Sequence, residues 1–284
     1  MKKMIYTLED SIYTNFSGHK QLITFYNWCL LLPPESHIHI SFKDVNWFDG
    51  NLSALLSAIV HQLDKKLGHT FSTDEEAIKT KFNVLFRNGF LQSEKKEYDN
   101  RKSTVPMMSF DCSDKEGFYS YIENELLAHR GIPSHISQNL KERIKDDLLE
   151  IFANTNHHAN TTDPFFVCGQ YYPKNKNLVF TMVDLGDGFL PRINRATKGQ
   201  VTTQLQAILW AIKGNSSKIA LDECPGSLGI TSMLSYCKSG KGVLQIFSGD
   251  AYWASDYENT IFRDGRILPA PFLGTTINLY FNHV

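Results

Sequence analysis

Glu150, Asn154 and His158 recur every four residues in a stretch, Ser137 to about His158, whose apolar spacing predicts a helix. That spacing sets a carboxylate, an amide and an imidazole along one face, with Leu148, Ile151 and Thr155 on another. An amide oxygen suits a hard cation such as Mg²⁺. A carboxylate can orient or deprotonate a water or a hydroxyl. The same row also reads as a solvated polar face near a helix end.

A second stretch, Leu178-Val-Phe-Thr-Met-Val-Asp-Leu-Gly-Asp-Gly-Phe189, starts as a strand and delivers Asp184, with Gly186 and Gly188 at alternate positions after it. Glycine lets backbone approach a flat ring closely, and an aspartate there can accept a hydrogen bond from an exocyclic amine such as adenine N6. Asp187-Gly188 is equally a good two-residue hairpin turn. A third stretch, Pro225-Gly226-Ser227-Leu228-Gly229-Ile230-Thr231-Ser232, puts glycines before a helix with Ile230, Met233 and Leu234 at its apolar positions. Free N–H groups at a helix start can cradle phosphate. A flexible loop before a helix reads the same way.

Taken in order, Glu-x-x-x-Asn, Asp-x-Gly-x-Gly and Gly-x-x-Gly before a helix resemble the GHKL ATPases, over roughly residues 105 to 284. Glu150 and Asn154 match that superfamily's N-box. Asp184, Gly186 and Gly188 match the first glycine box, and Gly226 and Gly229 the second. Gly274-Thr275 resembles the Gly-Thr that lies beside the adenine-reading aspartate. Glu-x-x-x-Asn-x-x-x-His is most similar to the anti-sigma-factor serine kinases. The resemblance implies ATP and Mg²⁺, with Asn154 on the metal, Asp184 on adenine and Gly226, Gly229 and Ile230 near the phosphates. It implies Glu150 as general base and a nucleotide lid over residues 189–225, from which Lys218 reaches a phosphate. His158 and Thr275 complete the implied ATP-binding set. It further implies an ATPase or a protein serine/threonine kinase of bacterial signalling, or a non-hydrolysing switch gated by nucleotide. A protein partner is implied, and a homodimer is compatible with it.

The elements that must position these residues fall into two halves. Ile38–Phe42 alternates as a half-buried strand, Asp44–Asn51 is turn-rich, and Leu52–Leu67 and Ala77–Phe90 have helical spacing, the latter ending at Gly89. A strand, Val45-Asn-Trp-Phe-Asp-Gly-Asn51 and a helix resemble a STAS-like domain, though no serine follows until Ser53. The polar run Gln92–Ser103 reads as a linker, which divides the chain into a STAS-like docking or regulatory domain, 1–102, and an ATP-binding domain, 103–284. Beyond it come a strand at Val105–Phe110 and helices at Glu116–Ala128 and Ser137–His158. A strand at Leu178–Val183 and helices at Val201–Lys213 and Gly229–Cys237 follow, with closing strands at Val243–Phe247 and Thr276–Phe281. The expected fold class is α/β (α+β), with the second half a Bergerat-type sandwich of helices on one face of a mixed sheet.

Bulk composition excludes several classes. With 29 basic and 30 acidic residues the net charge is −1, which gives no general pull toward nucleic acid or an anionic membrane. No apolar run approaches the roughly 18 residues needed to span a bilayer. The N-terminal stretch, interrupted by Glu9 and Asp10, does not read as a signal peptide. Five widely spaced cysteines without a C-x-x-C fit reduced thiols, and the expectation is a cytoplasmic protein. No P-loop, dinucleotide fingerprint, nucleophile elbow or zinc spacing is present.

Overall fold

The computed structural model describes residues 3–91, 99–158, 161–214 and 228–283. It is a mixed α/β structure with two sheets. The first is three-stranded and parallel: β1 (Met4–Ile12), β2 (His37–Phe48) and β3 (Thr70–Thr73), in that order. Helices α1 (Phe16–Leu30) and α2 (Ser53–Leu67) make the crossovers. α1 starts at Asn15, whose side chain accepts from Gly18 N–H at 3.0 Å. α2 stops at Gly68, which has φ 64°.

The second sheet has the order β4 (Thr104–Phe110), β5 (Phe165–Tyr172), β6 (Asn177–Asp184), β8 (Arg266–Asn282), β7 (Gly242–Ala254). Every neighbouring pair in it is antiparallel, where the sequence suggested a mixed sheet. Both its faces are covered, where helices on one face were expected. Phe166, Cys168, Val183, Phe247 and Phe272 join the core under α1 and α2. Phe165, Val167, Phe180, Met182, Leu244 and Ile277 join a second core under α5 (Lys115–Tyr121), α6 (Gln138–His158), α8 (Gln204–Ile212) and α9 (Leu228–Tyr236). The reason is visible in β5 and β6, buried on both sides over most of their length.

Several sequence expectations need revision. The helix expected over Ala77–Phe90 is two short ones, α3 (Glu75–Lys81) and α4 (Val84–Arg87), broken at Phe82 with φ −131°. The turn-rich Asp44–Asn51 is largely strand, since β2 runs to Phe48. The helix expected from Glu116 to Ala128 widens into a π-helical turn over Ile122–Leu127. Asp187-Gly188 closes no hairpin; β6 ends at Asp184, and α7 (Leu190–Ala196) follows.

One aromatic cluster sets the site helix on its sheet. Phe152 of α6 stacks on Phe118 of α5 at 4.5 Å between centroids and meets Phe165 of β5 edge-on at 5.2 Å. Phe152 is fully buried and lies two residues from both Glu150 and Asn154. Packing of this kind, about 3–5 kcal/mol for a buried Phe, fixes the rotation of α6 and hence where its polar residues emerge.

Candidate functional site

β6 delivers Asp184 to the end of the antiparallel sheet, directly across from Thr275 on β8. Asp184 Oδ1 accepts the Gly186 N–H at 2.9 Å. Burial pushes its carboxyl up to about 6, against the pull of the Gly186 N–H and the Thr275 hydroxyl. The residue as a whole keeps partial exposure, while its carboxyl lies deep in the fold. Gly274 holds φ 134°, and a Cβ there would lie 2.2 Å from the Asp184 carbonyl oxygen. Only glycine lets β8 come this close.

The loop after Asp184 is anchored from two sides. Gly188 has φ 74°, and a Cβ on it would lie 2.4 Å from Ser248 Oγ of β7. Ser248 Oγ is 3.2 Å from Thr275 Oγ1. Gln204, the first residue of α8, accepts the Leu190 N–H at Oε1 (3.2 Å) and donates from Nε2 to the Asp187 carbonyl (3.5 Å). A capping box of Thr203 and Gln206 fixes the start of α8 and with it Gln204. Sequence reasoning missed Gln204 and Ser248, because only the fold brings them to the glycine loop.

The second group lies where α6 crosses α9. A Cβ on Gly229 would lie 2.9 Å from the Asp147 carbonyl oxygen and 3.4 Å from Glu150 Oε2. The helix carrying the candidate base and the start of the glycine-led helix are therefore in close contact. Glu150 and Asn154 are both half-buried. Ile230 is 3% exposed and packs in the core under the outer helices. The side chain of His158, and Lys218 and Gly226 altogether, lie outside the described residues, as do residues 215–225 of the expected lid. Among the described residues no three His, Cys, Asp or Glu side chains are gathered to hold a metal by themselves.

Asp147 was not singled out from the sequence, although it lies one helical turn before Glu150. It lines a cleft of about 210 Å³ with Arg143, Ser232, Ser235 and Lys241. Burial raises its carboxyl to about 6; a hydrogen bond with Ser232 opposes this, and the charge of Glu150 adds to it.

A buried polar network joins the first sheet's loops to the strands that carry the site. Asn51 Nδ2 donates to Thr14 Oγ1 at 2.9 Å and to Thr181 Oγ1 of β6 at 2.8 Å. Tyr172 OH donates to Asn51 Oδ1 at 3.0 Å. Thr181 Oγ1 donates to Asn278 Oδ1 of β8 at 2.7 Å, and Asn278 Nδ2 donates to His19 Nε2 at 3.1 Å. Asp49 accepts from Thr14 N–H and from the Trp47 indole N–H. Ser53, the first serine after this loop, is fully buried and accepts from Asn88 Nδ2. Asp163, on the loop after α6, also meets the first half, taking Lys65 Nζ at 2.6 Å and His61 Nε2 at 3.0 Å.

No helix among the described residues is long and apolar enough to cross a membrane. Comparison with protein families, curated proteins and solved structures finds no match to this chain.

Proposed function

We propose that this chain binds ATP with Mg²⁺ at the end of β6, in the manner of a GHKL-type ATPase or anti-sigma-like serine/threonine kinase. The observation that carries the reading is Asp184: a deep carboxylate on a partly exposed residue, beside Thr275 and followed by a glycine loop packed against Ser248 and hydrogen-bonded to Gln204. A carboxylate so placed accepts a hydrogen bond from an exocyclic amine, which is how adenine is read. The strand order, with β8 between β6 and β7, puts Thr275 next to Asp184. Contact between Glu150 and the start of α9 supports placing a general base near the phosphate end. Asn154, half-exposed one turn beyond, supplies an amide oxygen of the type Mg²⁺ accepts alongside phosphate oxygens and water. When bound, the nucleotide supplies a transferable phosphoryl group, and Glu150 would take the proton from water or from a partner's hydroxyl.

Calorimetric titration of ATP with Mg²⁺ tests this reading. One saturable site in the wild type, lost in Asp184→Ala, is expected; absence of binding in the wild type sinks it. Glu150→Ala then separates turnover from binding, and is expected to keep the second and lose the first. A gated adaptor is the second reading, favoured by the network that ties Asn51 to Thr181, three residues before Asp184. In that case a partner is captured only in one nucleotide state and Glu150→Ala changes nothing.

A further inference from the structure

The outer face of the three-stranded sheet carries a row of polar side chains that the nucleotide reading leaves unused. His39 pairs in register with Ser72 on one side and with Ile5 on the other. His39 Nδ1 lies 3.1 Å from Ser72 Oγ, and its Nε2 lies 2.7 Å from Asp74 Oδ1. Ser41 Oγ donates to Asp74 Oδ2 at 2.9 Å. On the far side of Ser72, His37 Nε2 is 3.1 Å from Ser72 Oγ and His37 Nδ1 is 2.9 Å from Thr70 Oγ1.

One set of proton positions satisfies the whole row. Thr70 donates to His37 Nδ1, His37 Nε2–H to Ser72, Ser72 O–H to His39 Nδ1, and His39 Nε2–H to Asp74. Ser72 thus aims its proton at an unprotonated ring nitrogen whose tautomer a carboxylate sets. The His39 side chain is only 11% exposed, which holds the ring in place. Burial pushes the Asp74 carboxyl up, but the hydrogen bonds from His39 and Ser41 outweigh it and hold the carboxyl below its ordinary value. Ser72 itself is half-buried, and Ile5 stands 60% exposed as an apolar shoulder beside the row.

We propose that Ser72 is an activated nucleophile, with His39 as its general base and Asp74 as the positioning residue, and that it takes the acyl group of a small carboxylic ester. The ring is used in the opposite sense to a serine protease, Nδ1 to serine and Nε2 to carboxylate, but the roles are those of a triad. Attack forms the bond from Ser72 Oγ to the acyl carbon while the Ser72 proton passes to His39 Nδ1. The bond from the acyl carbon to the alcohol oxygen breaks, and the departing oxygen takes that proton. Water then attacks the acyl-serine, giving its proton to His39, which returns it to Ser72 Oγ as the carboxylic acid leaves.

The competing account is a solvated ladder that only helps hold β3 against β2, and it predicts an ordinary, unreactive serine. Treatment of the full chain with an alkyl fluorophosphonate, with the label located by peptide mass spectrometry, separates the two. The expected result is one phosphonyl group on Ser72, together with hydrolysis of p-nitrophenyl acetate, both lost in Ser72→Ala. His39→Gln is expected to slow labelling by about 100-fold or more. Asp74→Asn is expected to lower the maximal labelling rate and leave the probe's apparent affinity unchanged, a split that simple loss of structure does not produce. Ser72 labelled no faster than the chain's other serines, or wild-type labelling in His39→Gln, overturns the proposal.

Discussion

Asn51 donates to Thr181 at 2.8 Å across the buried face of the antiparallel sheet, and Thr181 lies on the strand that ends at Asp184. Asn51 is fully buried and holds Thr14 and Tyr172 as well. Asn51→Ala would take one hydrogen bond from each of three hydroxyls, which keep a second partner: Asp49 for Thr14, Asn278 for Thr181 and Gln170 for Tyr172. The expected cost is roughly 2–3 kcal/mol of unfolding free energy, from three lost bonds of about 1 kcal/mol each. Urea unfolding reads it directly; a loss under about 0.5 kcal/mol would mean that water replaces the amide.

Asp184 is predicted to make the protein less stable as pH rises. Its carboxyl is raised from 3.8 to about 6 in the fold, so the folded state keeps its proton longer than the unfolded chain. The destabilisation therefore grows between about pH 4 and pH 6 and persists above, on the order of 2 kcal/mol once the residue's partial exposure is allowed for. Asp184→Asn is expected to be more stable than the wild type at pH 7, with the gain vanishing near pH 4, while ATP binding is lost. A variant less stable than wild type at pH 7 contradicts this.

His19 works with the opposite sign. It is wholly buried, donates from Nδ1 to the Asn15 carbonyl at 2.7 Å, and accepts from Asn278 at Nε2. Burial lowers it from 6.5 to about 4, the Asn15 bond opposing. A second ring proton would also face the Asn278 amide hydrogens. The unfolded chain takes up this proton first, so stability is full above about pH 6.5 and falls toward pH 4, by about 3 kcal/mol. The two slopes oppose each other in the wild type. Unfolding midpoints of His19→Gln from pH 4 to 7 are expected to lose the acid-side decline, and an unchanged decline assigns it elsewhere.

Gly274→Ala tests the close approach of β8 to Asp184. A Cβ there meets the Asp184 carbonyl at 2.2 Å and demands φ 134° of a residue that rarely adopts it. Strain of this kind costs about 1–3 kcal/mol before the strands move. The expected outcome is a lower melting temperature together with weaker nucleotide binding, because the strands separate at the aspartate. Wild-type affinity in a stable Gly274→Ala protein would show that this approach is dispensable.

Much of the scaffold was legible locally. The spacing of Leu52, Leu55, Leu56, Ile59 and Leu63 gives α2 at the helical period, and the continuous, mostly apolar run from Leu178 to Val183 gives β6. The order of Glu150, Asn154, Asp184, Gly186, Gly188 and Gly229 was legible too, and with it the idea of a nucleotide site. Tertiary structure alone decided what surrounds them. β5 shows no alternation, because both its faces are buried, and α1 went unread although Leu22, Ile23, Tyr26 and Cys29 line its inner side. The pairing of Asp184 with Thr275, the reach of Gln204 to the glycine loop and the link from Asn51 to Thr181 join residues 91, 14 to 17 and 130 positions apart. Short-range periodicity records which face of an element is apolar; it holds no record of which distant element will cover that face, and the burial that raises Asp184 and lowers His19 exists only once the sheets close on each other.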